Sequence, residues 1–457
     1  MMTESQRAAL AEYVAVKGQC PARERFAALF DDGVYTETGS NLRAGENLAG
    51  VVTAYGYIGG TPAYAFSQDS TVMKGAVSLA HSAKICKMFE LAARNGVPVV
   101  GIYDSCGAFV EDGADALNAY SDILLSMGSL SGVVPMVSVI SGVCAGTMAM
   151  IASSADFSVI TEGAELYLDA SGNNASAESA AKSGAVSAYA KSDAEAMDTV
   201  RRYLSLMPQN NLSPLPEFEF DAPVSAAFDN AENAAESIAD AGSILEVYGE
   251  YGTASYTALC TVSGVTAGIA ATNKTKDKLT SADCSKIARF VRLCDAYSIP
   301  VITVADTEGF DLHGADMVRA GAALAGAYAE ASCAKIALVS GKACGMAYIA
   351  FAGRNVAADA VYALPEAVIA PMDPVSAAEF LYHDKLKGAD DLAAARAQIA
   401  KEYAENEGSA FAAAAKGAAD EVVTAENVRA AVASVLDVTA GKRLNKRLPK
   451  KHNILPL

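Results

Sequence analysis

Residues 84–109 read KICKMFELAARNGVPVVGIYDSCGAF, and residues 286–311 read KIARFVRLCDAYSIPVITVADTEGFD. The two stretches align without a gap at an offset of 286 − 84 = 202: Lys84 with Lys286, Ile85 with Ile287, Pro98 with Pro300, Asp104 with Asp306, Gly107 with Gly309. Each starts with apolar residues at helical spacing, passes into an apolar run opened by proline, and ends on glycine, which predicts a helix, a buried strand and a tight turn. Duplication on this scale predicts two similar α/β domains. It also predicts a site where the halves face each other.

The repeat continues outward. Residues 137–156, VSVISGVCAGTMAMIASSAD, correspond to residues 336–355, IALVSGKACGMAYIAFAGRN, with Ser141-Gly142 on Ser340-Gly341 and Gly146-Thr147-Met148 on Gly345-Met346-Ala347. Upstream, DDGVYTETG at Asp31 resembles DAGSILEVYG at Asp240.

A chain of 457 residues fits two domains better than one. A 52% hydrophobic content dominated by small residues predicts closely packed helices, and a formal charge of −18 argues against nucleic acid as a partner. The nine cysteines lack CxxC spacing, and reading them as buried free thiols predicts a reducing, cytoplasmic setting. No apolar signal segment opens the chain. Residues 129–155 are apolar enough for a membrane span, yet Pro135 and the switch from β-branched to helix-forming residues predict strand, turn and helix.

Along the chain we read helix to about residue 30, two strands around Gly59-Gly60, helices over 76–95 and 111–131, a strand over 97–103, loop and short helices over 172–192, and a helix over 193–206. MPQNNLSPLPEFEFDAP, residues 207–223, interrupts regular structure and places the domain boundary there, giving domains 1–220 and 221–457. Residues 375–439 read as helical, and the basic tail after them ends on the apolar Ile454-Leu455-Pro456-Leu457.

There is no GxxxxGK[ST] loop, no GxSxG elbow and no histidine pair at metal-ligand spacing among His81, His313, His383 and His452. Met73-Lys74 matches a biotinylation site in two residues only and lacks its flanks. The two small-residue turns remain, Cys144-Ala145-Gly146-Thr147 and Cys344-Gly345-Met346-Ala347. A strand that ends in such a turn and feeds a helix directs unpaired main-chain N–H groups outward, where they can hold an oxyanion. Close helix–sheet packing produces the same composition at a single turn; the second occurrence favours function.

On ARER at 22–25, FSQD at 66–69, HSAKICK at 81–87, NGVPVVGIYDS at 95–105, SGVVPMVSVISGVCAG at 131–146, PQNN at 208–211, SADCSKIARFVRLCDAYSIPVITVAD at 281–306, AYAEASCAKIALVSGKACG at 327–345 and PKKH at 449–452, the chain resembles the carboxyltransferase subunits of biotin-dependent acyl-CoA carboxylases and decarboxylases, of the propionyl-CoA carboxylase beta and methylmalonyl-CoA decarboxylase alpha type. The resemblance implies an α/β fold of two tandem ClpP/crotonase-like domains, a hexamer, and a site between the N-terminal domain of one subunit and the C-terminal domain of its neighbour. It implies carboxyl transfer between biotin and an acyl-CoA thioester. The acyl-CoA oxyanion hole maps to Gly146 and Thr147, and the biotin hole to Met346 and Ala347 beside Gly345. No metal is implied. Biotin is expected on a separate carrier, with a biotin carboxylase or a membrane decarboxylase subunit as the further partner. The tail lysines Lys450 and Lys451 are candidates for contact with CoA phosphates or with the second domain.

Three departures lie at the site. The family's CAGGA is CAGTM here, placing Thr147 at a glycine; YGGAY is CGMAY, placing Met346 at another; DSGGAR is DSCGAF, changing Cys106 and Phe109. Side chains leave the N–H donors in place but narrow the approach, and threonine fits a left-handed backbone poorly. Three readings stay open: an active carboxyltransferase, the same fold in a sodium-pumping decarboxylase, and an impaired paralogue that assembles with an active subunit.

Overall fold

The computed structural model describes residues 2–169, 175–223, 225–311, 313–314, 316–354, 356–442 and 454. The expectations for PKKH at 449–452, Lys450, Lys451 and residues 455–457, and the start of the 172–192 segment, lie outside the described residues. The chain divides into two compact units, Met1–Pro214 and Leu215–Leu457. The division lies at 214/215 rather than the 220/221 read from the sequence. The reason is local: Phe218 N–H donates to Gly264 O at 2.8 Å, and Glu217 bridges Val265, tying this stretch to the second unit.

In the first unit the sheet runs Tyr35–Thr38, Val51–Ile58, Thr61–Gln68, Val99–Ser105, Met136–Ala145, Phe157–Thr161, Ala188–Ala190, with Glu165–Tyr167 pairing on the far end of Met136–Ala145. In the second unit it runs Leu245–Glu246, Tyr256–Val262, Val265–Ala271, Val301–Ala305, Lys335–Val339, Ala360–Ala363, Glu421–Val422, with Lys342–Cys344 and Val368–Ala370 as a separate parallel pair. Both sheets open with an antiparallel hairpin and continue in parallel. The parallel strands are buried on both faces, which is why VITVA, apart from Thr303, and most of VVGIYDS are apolar rather than alternating.

Each duplicated helix carries its own start signal. Ser78 accepts the His81 N–H ahead of helix Leu79–Asn95, and Thr280 forms a capping box with Asp283 ahead of helix Ser281–Ala296. The first helix ends on Gly96 at φ 61°, the left-handed position glycine suits; at the matching place the second half carries Ser298 at φ 56°. Ile85, Met88, Phe89 and Ala92 in one half, and Ile287, Phe290, Val291 and Cys294 in the other, turn the buried face to the sheet.

Polar details repeat as well. Asp31 accepts from the N–H groups of Gly59 (2.9 Å) and Gly60 (2.8 Å) and from Arg201 (2.7 Å). Asp240 accepts from Ser263 (2.9 Å), Gly264 (2.8 Å) and Arg429 (2.7 Å). One carboxylate thus ties each hairpin turn to a distant arginine. Buried Lys84 and Lys286 both spend their ammonium groups on main-chain carbonyls, Val51 O in one unit and Ser255 O (2.9 Å) with Gly252 O (3.3 Å) in the other. Burial pulls both down to about 8.

Two short strands lie where the sequence suggested otherwise. Ala188–Ala190 falls in the segment read as loop and short helices, and Glu421–Val422 interrupts the helical 375–439 region. Residues 129–155 form the end of helix Asp115–Leu130, strand Met136–Ala145 and helix Thr147–Ser153. Among the described residues no helix is long and apolar enough to cross a membrane.

Candidate active site

Each unit presents one turn at which a parallel strand ends and a short helix begins. Gly146 has φ 66° and ψ −139°, and Gly345 has φ 56° and ψ −123°, a region closed to side chains. The helices that follow, Thr147–Ser153 and Met346–Phe351, start one residue later. Neither Thr147 nor Met346 has positive φ. The left-handed strain expected at the two replaced glycines is therefore absent, because the chain reverses at the retained glycine before each. Cys106 too lies at ordinary φ, while Gly107 (φ 116°) and Gly309 (φ 101°) carry the reversal there.

The glycine N–H groups are already engaged: Gly146 donates to Tyr167 O and Gly345 to Ala370 O, both at 2.9 Å. Gly146, expected as a donor to substrate, instead anchors its turn to strand Glu165–Tyr167. Helix geometry leaves the next N–H groups, those of Thr147 and Met148 and of Met346 and Ala347, without intrahelical acceptors. The first later bonds are Ala149 N–H to Gly146 O (3.0 Å) and Ile349 N–H to Gly345 O (3.2 Å). Thr147 is half-buried; Met346 is exposed and Ala347 buried. Met148, which the sequence aligns with Ala347, is buried and follows Thr147 in the first turn.

Behind each turn stands an aspartate the sequence aligned without a role. Asp104 accepts from Ser70 Oγ (2.8 Å) and Arg25 Nη2 (3.1 Å), and Arg25 also reaches Ser141 O (3.2 Å). Asp306 accepts from Lys342 N–H (2.8 Å) and Asn273 Nδ2 (3.1 Å). Each carboxylate fills the space over a glycine: a Cβ on Gly142 would lie 2.3 Å from Asp104 Oδ1, and one on Gly341 would lie 2.2 Å from Asp306 Oδ1. This is the physical content of the repeated Ser-Gly pair. Asp104 N–H donates to Gln68 Oε1 (3.0 Å) and Asp306 N–H to Thr272 Oγ1 (2.9 Å), fixing each aspartate to the neighbouring strand. With its oxygen so used, the Gln68 amide nitrogen donates to His81 Nε2 at 3.2 Å. Sheet register equates Gln68 with Thr272, since Tyr64 pairs with Val99 as Gly268 does with Val301.

The two cysteines within the turns are held as thiols. Burial pushes the Cys144 thiol up, with the Asp104 charge adding to it, and burial likewise raises Cys344. Lys342 is lowered by burial but raised further by Asp373 and Glu308, with which it pairs, so it stays charged at the rim of the second turn. Among the described residues no cluster of His, Cys, Asp and Glu is placed to hold a metal.

Comparison with known proteins gives a consistent picture. Residues 14–455 match the carboxyl transferase domain. Methylmalonyl-CoA decarboxylase subunit alpha of Propionigenium modestum is 33% identical over 96% of this chain and 94% of its own length. The methylmalonyl-CoA carboxyltransferase 12S subunit of Propionibacterium freudenreichii subsp. shermanii is 33% identical over 96% and 92%, and the propionyl-CoA carboxylase beta chain of Cereibacter sphaeroides 31% over 96% and 94%. The crystal structure of transcarboxylase 12S with methylmalonyl-coenzyme A and methylmalonic acid bound superposes with a TM-score of 0.91 at 31% identity, covering 100% of this chain and 99% of that one. With the fold, the length and both strand–turn–helix units shared, the chain belongs to the carboxyl transferase domain family.

Proposed function

We propose that this chain moves a carboxyl group between biotin on a separate carrier protein and an acyl-CoA of the propionyl/methylmalonyl type. The main-chain donors of Thr147 and Met148 hold the thioester oxygen, and those of Met346 and Ala347 hold the biotin carbonyl oxygen. Biotin supplies the carboxyl group on its ureido nitrogen, or receives it. The chain's own part is electrostatic. Thr147, Met148, Met346 and Ala347 carry no base, so their N–H groups stabilise negative charge as it develops on oxygen rather than move a proton. One such fixed donor is worth about 3–4 kcal/mol in other enzymes. The observation that carries the reading is the duplicated turn, in which glycine reverses the chain and the two following N–H groups are free of helix partners. In both turns the proposed donors come from the main chain, and at the second the Met346 side chain packs toward Gly321.

Transcarboxylase 12S is described as a hexamer with substrate bound to a multienzyme core. We propose the same assembly here, with a biotin carrier, and a biotin carboxylase or a membrane decarboxylase subunit, as partners. Equal identity to a carboxyltransferase and to a decarboxylase subunit, 33% in each case, supports transfer in either direction, set by the partner. The replaced glycines do not favour an impaired paralogue, since both substitutions fall on ordinary backbone.

The test is reverse transfer by the purified oligomer, with biocytin and methylmalonyl-CoA, following loss of the carboxylated thioester. Biotin-dependent turnover is expected. Binding of CoA thioesters without turnover would replace the reading with an inactive binding subunit; neither binding nor turnover would end it.

A further inference from the structure

Gly321 lies on the buried face of helix Met317–Glu330, and the Met346 side chain rests against it. A Cβ on Gly321 would come 3.2 Å from Met346 Cε and 3.6 Å from Sδ. Gly321 has ordinary φ, so its backbone does not call for glycine. Glycine inside a helix costs about 1 kcal/mol relative to alanine, so something other than helix formation favours it. Met346 is 45% exposed, and its thioether has a flexible stem. The helix that bears it is firmly seated by comparison: Phe351 stacks on Phe310 with ring centroids 6.2 Å apart and meets Tyr328 edge-on at 6.3 Å. The movable part of the second turn is therefore the methionine side chain itself.

We infer that Gly321 and Met346 are a matched pair that sets access to the second turn. The missing side chain of Gly321 forms a notch for the Met346 methyl and holds the thioether away from the N–H groups of Met346 and Ala347. It thereby decides how closely a planar cyclic urea, the headgroup of biotin, approaches those donors. Gly321 is a positioning residue and Met346 the group positioned. This rests on the placement of biotin at the second turn proposed above.

The experiment compares the parent oligomer with Gly321→Leu, Gly321→Ala, Met346→Gly and Gly321→Leu/Met346→Gly. It measures Tm, biocytin binding by calorimetry, and KM for biocytin and methylmalonyl-CoA. Filling the notch is expected to weaken biocytin binding and raise its KM about tenfold, equivalent to about 1.4 kcal/mol, with the methylmalonyl-CoA KM unchanged. Gly321→Ala is expected to do the same in smaller measure while holding or raising Tm. It keeps the test informative if leucine disrupts folding. Adding Met346→Gly should restore biocytin binding, because no thioether is left to displace. Unchanged biocytin binding in folded Gly321→Leu or Gly321→Ala, or no rescue in the double variant, would overturn the pairing while leaving the carboxyltransferase reading intact. A parent that neither binds biocytin nor turns over would overturn both.

Discussion

Replacing Gly341 by alanine tests whether the aspartate behind each turn is structural support or incidental. Gly341 has ordinary φ, so alanine carries no backbone penalty. Its Cβ, however, would lie 2.2 Å from Asp306 Oδ1, far inside contact distance. The carboxylate must swing away or the strand must shift. Swinging away breaks the bonds from Lys342 N–H (2.8 Å) and Asn273 Nδ2 (3.1 Å). Bonds to a charged acceptor contribute about 1.5–3 kcal/mol each, so a loss of about 3–6 kcal/mol is expected for the two, reduced by whatever water the freed groups regain. Urea unfolding at fixed protein concentration reads this as a shift in midpoint at constant slope. The decisive comparison is a cycle with Asp306→Ala. Once the carboxylate is gone the added methyl has room, so Gly341→Ala should then cost less than about 1 kcal/mol, leaving a coupling of about 2 kcal/mol or more. A single variant within about 1 kcal/mol of the parent, or costs that simply add, would refute the reasoning. Because Lys342 opens the strand Lys342–Cys344 that leads into Gly345, the variant should also lose carboxyl transfer more than CoA binding.

Acid should weaken the first unit through His81, which burial, with help from the Lys84 charge, holds at about 3. Below its ordinary 6.5 the unfolded chain takes up a proton that the folded chain refuses, so stability present above 6.5 is lost as pH falls toward 3. The loss is about 2 kcal/mol by about pH 5, and His81→Asn should flatten that slope in unfolding measured across pH. Ser298→Gly should stabilise by about 1 kcal/mol by removing a side chain from a left-handed position, and Gly96→Ser should destabilise by at least as much; thermal unfolding of both reads the pair. Arg429→Met should cost about 3 kcal/mol because it removes the counter-charge of a buried Asp240 carboxylate that keeps its two main-chain donors, whereas Arg201→Met, at a pair about one-third exposed, should cost about 1 kcal/mol or less. Parallel urea unfolding of the two would reveal equal losses if burial were not the cause.

The duplicated stretches at Lys84 and Lys286 made the fold legible because each step has a local cause: apolar spacing for the helix, a mostly apolar run for a doubly covered strand, glycine for the turn. The faint resemblance at Asp31 and Asp240 was also sound. Each carboxylate holds the hairpin turn two dozen or so residues on, a relation visible only once the hairpins exist. The strands Ala188–Ala190 and Glu421–Val422 were hidden because their partners, Phe157–Thr161 and Ala360–Ala363, supply the pairing. Two or three residues are too few to carry a strand signal of their own. Arg25 stood in a quoted motif without a role, since its carboxylate partners, Asp104 and Asp193, lie on different elements.

The same reasoning explains why the replaced glycines at the turns carry no backbone strain. A run such as CAGGA does not say which glycine the backbone requires, because the requirement is a torsion angle and both residues satisfy it in sequence. Here positive φ falls on Gly146 and Gly345, and both remain glycine. Thr147 and Met346 begin helices, where any L-residue keeps its N–H in place. On the proposal that main-chain donors make the site, substitution at the donor itself is tolerable provided the side chain has somewhere to go. For Met346 that place is the notch at Gly321, on a different helix. Two consequences follow that residue identity alone would reverse. Gly146→Ala or Gly345→Ala should strain the turn by about 1–3 kcal/mol and lower activity about ten- to a hundred-fold, since these angles disfavour any side chain. Thr147→Gly or Met346→Gly, each restoring the family's residue, should leave carboxyl transfer within a few-fold of the parent. If the restored glycines instead raised activity by orders of magnitude, the donors would not be free in the parent, and main-chain charge stabilisation at these turns would have to be abandoned.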